Sequence, residues 1–190
     1  WWAARAACAS RLIGFTASDE GIAIGIVNDG QSAWSADATV RRVDVSGRDL
    51  AVDHVQLDAA VGKTSQVLVG REIAIPADPS SEFLVVESGT HRAFWFYGKD
   101  AWLSLPAAAY DLEFEALAGG CRVGVHARTI VRDLVMDPSR LSADGVVDRN
   151  LLTLLPGDRT CFEFRASEPI DPAQFQDSGV FFEANSRASE

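Results

Sequence analysis

Few residues in this sequence have the types and spacing that chemistry needs. The histidines are His54, His91 and His126, with no His-x-His or His-Glu-x-x-His spacing. Metal sites draw on tight local spacing or on several softer partners, so these three carry no metal reading. His126 is expected in a cross-strand pair with Glu113, and His54 and His91 in loops. Glu113 and Glu115 have the atoms for acid–base or nucleophilic work on a glycosidic bond. That chemistry takes two carboxyl groups across the scissile bond, one of them kept protonated by its surroundings. Both glutamates alternate with Leu112 and Phe114 on the polar face of a strand, and they read as surface charge. The aspartates between Asp137 and Asp158 raise the thought of a calcium clasp. Their spacing does not match an EF-hand loop, so they are taken as solvated turn residues. No Gly-x-Ser-x-Gly elbow, P-loop or dinucleotide fingerprint occurs. No catalytic, metal-ligating or cofactor-binding residue is assigned, and no cofactor is expected.

The remaining candidate is aromatic. In Phe94-Trp95-Phe96-Tyr97, parity puts Phe94 and Phe96 on one face and Trp95 and Tyr97 on the other. With Trp102, the Trp95 face could stack on sugar rings as in a carbohydrate-binding module. The alternative has one face filling a core and the other lying against a neighbouring domain, as a strand beside a domain boundary requires. The three cysteines are an odd number and suggest no disulfide framework. Cys121 shares parity with Val123 and Val125 and is expected to point inward. Cys161 shares parity with Glu163 and Arg165 and is expected to point outward. Reduced thiols fit a cytoplasmic location.

The elements that must position these residues are strands. From Ser10 onward, short apolar runs alternate with turn signals about every 8–12 residues, the spacing of an all-β sandwich. Ile22, Ile24 and Ile26 alternate cleanly before the turn Asn28-Asp29-Gly30. Trp34 to Val40 run in one phase and Val43 and Val45 in the other, which suggests a β-bulge at Arg41-Arg42. Val67, Val69, Ile73 and Ile75 read as one strand. Phe83 to Val86 and Ala93 to Tyr97 close the first domain. Leu112, Phe114 and Ala116 begin a hairpin whose turn is placed at Gly119-Gly120. That register sets Phe114 opposite Val125, Asp111 opposite Arg128 and Glu113 opposite His126. Leu134 and Met136 continue the second strand. The expected organisation is a short helical tail over 1–9, a first sandwich over 10–105, a smaller one over 106–166 and a tail over 167–190. Both sandwiches are expected to be antiparallel and immunoglobulin-like.

At 190 residues, 47% apolar and 23% charged, the chain has the composition of an ordinary globular protein. Its net charge of −10 argues against nucleic acid and anionic membrane as partners, since both recruit clustered cations. No apolar run is long enough to span a bilayer. The opening WWAARAACA lacks the basic and apolar regions of a signal peptide. Beginning without Met, it is expected to be the end of something larger.

The stretch Asp148 to Phe164, DRNLLTLLPGDRTCFEF, with the preceding CRVGVHARTIVRDLVMDPSRLSADGVV, resembles the C-terminal end of bacterial β-mannosidases of glycoside hydrolase family 2. There a strand leads through a Ser-Asp-Asn-like loop into Leu-Leu-Pro-Gly-Glu and a final strand. This chain has Asp148-Arg149-Asn150-Leu151-Leu152 in the loop and Asp158 for the Glu. The match is close over 121–165 and otherwise one of domain order, which exo-glucosaminidases of the same family share. The resemblance implies that the first nine residues end a helix closing an upstream catalytic barrel. It also implies that the acid/base and nucleophile glutamates lie in that barrel. The chain would then be a non-catalytic support for the barrel, with the upstream domain as its partner and β-mannosides or manno-oligosaccharides as possible ligands. The alternative is a free-standing carbohydrate-binding or protein-interaction module using Trp95 and Trp102.

Overall fold

A computed structural model describes residues 1–176 and 179–185. The chain divides into two units, Trp1 with Ala3–Ser104, and Trp2 with Leu105–Glu190. The first contains the short helix α1 (Trp2–Ala7, apart from Trp2 itself), then β1 (Arg11–Ser18), β2 (Gly21–Asn28), β3 (Trp34–Asp44), β4 (Asp49–Ala59) and β5 (Lys63–Leu68). A helical turn, α2 (Arg71–Ala74), precedes β6 (Glu82–Ser88) and β7 (His91–Phe96). The strands form two antiparallel sheets, β1-β2-β5 and β4-β3-β6-β7. Their apolar faces meet in a core of Ile24, Ile26, Val40, Leu57, Leu84 and Val86.

Two features of this unit refine the sequence reading. β3 pairs with β6 without a break, so Val43 turns to the face opposite Val40 and joins Phe83 and Val85. All three are buried, so part of that face is apolar as well, beside the ion pairs of Arg41 with Asp49 and Glu87. The register shift lies in the pairing with β4, between Arg42 and Val43, and its extra residue is Leu50 on β4. The expected strand from Val67 to Ile75 stops at Leu68. Gly70 accepts backbone bonds from Ile73 and Ala74, both at 2.9 Å, and the chain coils into α2. Val69 and Ile73 both reach the core, as strand parity also allows, but Ile75, next in that parity, is 55% exposed because the chain has coiled by then.

The second unit contains β8 (Tyr110–Leu117), β9 (Gly120–Ala127), β10 (Val131–Met136), β11 (Val146–Val147), β12 (Leu152–Leu154), β13 (Arg159–Arg165) and β14 (Phe181–Phe182). Its sheets are β11-β13-β9-β8 and β12-β10-β14. Val123, Val125, Leu134, Met136, Phe162 and Phe164 fill the core between them. The chain does not run straight from β9 into β10. The amides of Arg128 and Thr129 both bond Ala109 O, at 2.7 and 3.2 Å, and the chain crosses to the other sheet.

The β8–β9 register also differs from the expected one. Phe114 faces Val123, Leu112 faces Val125, Asp111 faces His126 and Glu113 faces Gly124. The turn residues are Ala118 and Gly119, with Gly119 at φ 77°. Gly120 is already the first residue of β9. A Cβ on Gly120 would collide with the Phe164 carbonyl oxygen, so the second glycine serves the close approach of β13 rather than the turn. The error is an even number of residues, and each side chain keeps its face.

The segment after Ala166, expected as a tail, is part of the second unit. Phe175 and Val180 are 1% and 2% exposed in its core, and β14 pairs with β10.

Gly120→Ala is expected to destabilise the chain by about 1–3 kcal/mol, the usual range for forcing atoms into a packed site. Urea unfolding checks this; an unchanged midpoint would contradict the close approach.

Candidate functional site

The outward face of β8, β9 and β13 carries a cluster of titratable groups. Three cross-strand rows run over it: Asp111–His126–Arg159, Glu113–Gly124–Cys161 and Glu115–Arg122–Glu163. Arg122 reaches Glu115 at 2.7 Å and Glu163 at 3.2 Å. Arg159 lies 3.8 Å from Glu113, and Arg128 pairs with Asp111. The side chains of Glu113 and Glu115 are 73% and 62% exposed, so neither has the apolar surroundings of a glycosidase acid. Gly124 leaves a gap in the middle row, a shallow trough of about 170 Å³ lined by Glu113, His126 and Arg159. His126 faces Asp111 rather than Glu113, with 3.9 Å between Nδ1 and the carboxylate. The other two histidines lie in strands, not loops. His54 of β4 meets the Thr39 hydroxyl at 3.3 Å, and His91 opens β7 beside the Trp34 ring at 4.9 Å.

The aspartates of the Asp137–Asp158 region point back at the chain. Asp137 accepts from the Ser139 amide at 3.0 Å, Asp148 from the Glu163 amide at 2.8 Å and Asp158 from the Leu155 amide at 2.9 Å. Asn150 brackets Met136, accepting from its N–H at 2.7 Å and donating to its C=O at 2.9 Å. Among the described residues no group of three or more His, Cys, Asp or Glu is placed to hold a metal ion. The Ser142 hydroxyl, the Ser167 hydroxyl and the Ser167 N–H together hold the Asp144 carboxyl at about 2. Burial pushes Asp148 up, but the Glu163 N–H and the Arg149 guanidinium prevail and keep it below the ordinary value.

The aromatic stretch divides by face as parity predicts, and all four of its rings are half-buried. Trp95 pairs with Leu84 and packs on the first core. Tyr97 lies on the same side; its hydroxyl donates to Ala74 O at 2.8 Å, and burial pushes it up to about 12. Phe94 and Phe96 stack with Phe83 on the opposite face, at 6.3 and 5.0 Å from its ring. Trp102 stands in a single 3-10 turn, Asp100–Trp102, 68% exposed, with the Lys99 ammonium 5.5 Å from its ring. Trp95 and Trp102 therefore do not make one stacking surface: one is a core ring and the other a surface ring.

Two buried polar groups escaped the sequence reading. Asn28, taken as a turn residue, is 0% exposed and donates to Ser32 O, Ala59 O and Ala60 O at 2.9 to 3.3 Å. Glu82 pairs with Arg42 at 2.9 Å and also accepts from the amides of Ala77 and Asp78. Both close loops, and an isolated Asn or Glu in a sequence gives no sign of which loop it will close.

No family model and no curated protein matches the sequence. Solved structures do match its fold. A β-D-mannosidase from Dictyoglomus thermophilum superimposes with a TM-score of 0.70 over 92% of this chain, at 11% identity. An exo-chitosanase from Amycolatopsis orientalis does so with a TM-score of 0.52 over 97%, at 14% identity. The chain has the fold of a segment of two glycosidases. It spans 21% of the length of the first and 26% of the second.

Two predictions follow from the site geometry. Cys8 is exposed, Cys161 half-buried and Cys121 buried with its thiol pushed up by burial, and all three are free. Maleimide labelling of the folded chain is expected in that order, with Cys121 last; labelling of Cys121 ahead of Cys161 would contradict the facing of β9 and β13. Asp144 is ordinarily at 3.8 and here at about 2, so its carboxylate contributes stability that is complete above pH 3.8 and lost as pH falls toward 2. Asp144→Asn is expected to flatten the acid limb of a stability–pH profile in that window, and an unchanged limb counts against the clamp.

Proposed function

We propose that this chain is the C-terminal, non-catalytic β-sandwich portion of a β-mannosidase-like glycoside hydrolase, supporting a catalytic barrel that lies upstream in the same polypeptide. The parent reaction is hydrolysis of terminal β-mannosyl residues. One observation carries the reading: the fold match takes in 92% of this chain but only 21% of the β-mannosidase. The site geometry supports it. Glu113 and Glu115 are exposed and paired with arginines, and the aspartates near the Pro156-Gly157 turn bond backbone amides. The resemblance of Asp148 to Phe164 to the end of family 2 β-mannosidases points the same way. The most exposed rings, Trp1 at 85% and Trp102 at 68%, are the natural places for a neighbouring domain to add stability. Covering such a ring contributes about 1.5–3 kcal/mol.

The purified chain is expected to turn over no aryl β-mannoside, while the polypeptide extended by its upstream reading frame does. Turnover by the chain alone that survives repurification would overturn the proposal. Binding of manno-oligosaccharide that is lost on Trp102→Ala would replace it with the binding-module reading.

A further inference from the structure

The sheet β11-β13-β9-β8 ends on one side at β8. Sheet edges are ordinarily kept short, bulged, or marked by Pro or Lys, because an open row of N–H and C=O groups invites another strand. β11 at the other end of this sheet has two residues, and β12 and β14 of the facing sheet have three and two. β8 has eight, from Tyr110 to Leu117, with neither Pro nor Lys. It pairs with β9 over its whole length without a shift in register.

The ladder fixes which way its backbone groups point. The Arg128 amide donates to Ala109 O at 2.7 Å, and the two-residue turn Ala118-Gly119 closes on Leu117 opposite Gly120. Hydrogen-bonded pairs alternate along an antiparallel ladder, so Asp111, Glu113 and Glu115 bond β9. The N–H and C=O of Tyr110, Leu112, Phe114 and Ala116 point the other way. Among the described residues no backbone bond reaches them.

The two faces of β8 set what an added strand must carry. On the inner face Leu112 and Phe114 stay half-buried, whereas Val125 and Val123 opposite them are 2% and 0% exposed. The core is closed over β9 and open over β8, which favours apolar side chains on the added strand. On the outer face stand Asp111, Glu113 and Glu115, with side chains 51%, 73% and 62% exposed. Their partners Arg128, Arg159 and Arg122 come from the β9 side, and each carboxylate meets its arginine through one oxygen. Side chains directly opposite on an added strand would be their next neighbours, where opposite charges stabilise and like charges oppose. A second copy's β8 fails this rule. Every register that turns its apolar residues inward sets carboxylates beside carboxylates.

We propose that the free edge of β8 is a docking site for an extended polypeptide segment of alternating basic and aliphatic residues, which joins the sheet as a further strand. The basic residues stand opposite Asp111, Glu113 and Glu115, and the aliphatic ones cover Leu112 and Phe114. The chain's net charge of −10 steers such a cationic segment toward it. The inference stands apart from the proposed function.

The test titrates the unaltered chain with a fluorescent peptide of alternating Arg and Val, as long as β8. A peptide of the same composition with Arg and Val in two blocks carries the same charge without the alternation. The alternating peptide is expected to bind one-to-one, at least about tenfold more tightly than the block peptide. In the free chain the Leu112 and Phe114 amides are expected to exchange quickly and those of Glu113 and Glu115 slowly, and bound peptide slows the first pair. Glu113→Lys with Glu115→Lys, at two exposed positions, is expected to weaken binding at least about tenfold. Equal binding of the two peptides means charge attraction only and overturns the proposal. So does no binding, a folded variant that binds as before, or an alternating Glu and Val peptide that binds as well. Binding that leaves the Leu112 and Phe114 amides fast lies elsewhere on the chain and also overturns it. Slow Leu112 and Phe114 amides in the free chain that quicken on dilution show self-pairing and overturn it too. If the double variant does not fold, the two peptides and the amides of the unaltered chain decide.

Discussion

The structure depends on one constraint: each loop that closes a small sandwich exposes backbone donors and acceptors to an apolar interior, and these must be paired. Short polar side chains do that pairing here. Asn28 closes the β4–β5 end of the first unit, and Glu82, bound to Arg42, closes the loop between α2 and β6. Asn150 holds Met136, Asp158 holds Leu155 and Asn185 holds Pro106, Ile130 and Arg132. Leaving one such buried group unpaired costs about 1–3 kcal/mol. The clamps also sit where the backbone departs from ordinary geometry. Leu151 follows Asn150 at φ 59°, and Asp133 at φ 52° is bonded by the Thr153 hydroxyl. Left-handed backbone costs an L-residue about 1–2 kcal/mol, so those conformations need neighbours that fix them.

The same constraint bears on function. The residue types that would be nominated for general acid–base work or metal ligation are Asp, Glu, Asn and His. In the described residues the buried members bond the backbone, and many of the exposed ones meet arginines across the sheet. The β8-β9-β13 face is a lattice of alternating charges in water, where single ion pairs add little. A glycosidase centre has a different arrangement, with two carboxyl groups aimed at a shared space in unlike surroundings.

Much of the fold was legible because period-two alternation survives wherever one face of a strand meets a core. Ile24 and Ile26, Leu112 and Phe114, and Phe162 and Phe164 all took the predicted faces. The failures have separate physical causes. A register shift does fall between Arg42 and Val43, but its extra residue is on β4, and the change of phase within β3 comes from Val43 being buried with Phe83 and Val85 on the face opposite the first core. Val69 and Ile73 share a face in a strand and in a helical turn alike, so their spacing could not tell the two apart. Gly119-Gly120 looked like one turn, but the second glycine answers to β13, more than 40 positions later in the chain. The segment after Ala166 read as a tail because its anchors, Phe175, Val180 and Asn185, are scattered among polar residues and act only through the fold. At the candidate site, parity separated Trp95 from Phe94 and Phe96, yet it could not say which face was the core.

Hydrogen exchange at the clamped amides tests the central claim most directly. If polar side chains hold these segments, the amides of Arg132, in the irregular start of β10, and of Leu155 and Ser167, outside the strands, are bonded to Asn185, Asp158 and Asp144 and exchange slowly. The slowness of each is lost on Asn185→Ala, Asp158→Ala or Asp144→Ala respectively. Fast exchange at these positions in the unaltered chain, at the rate of open loops, would contradict the account.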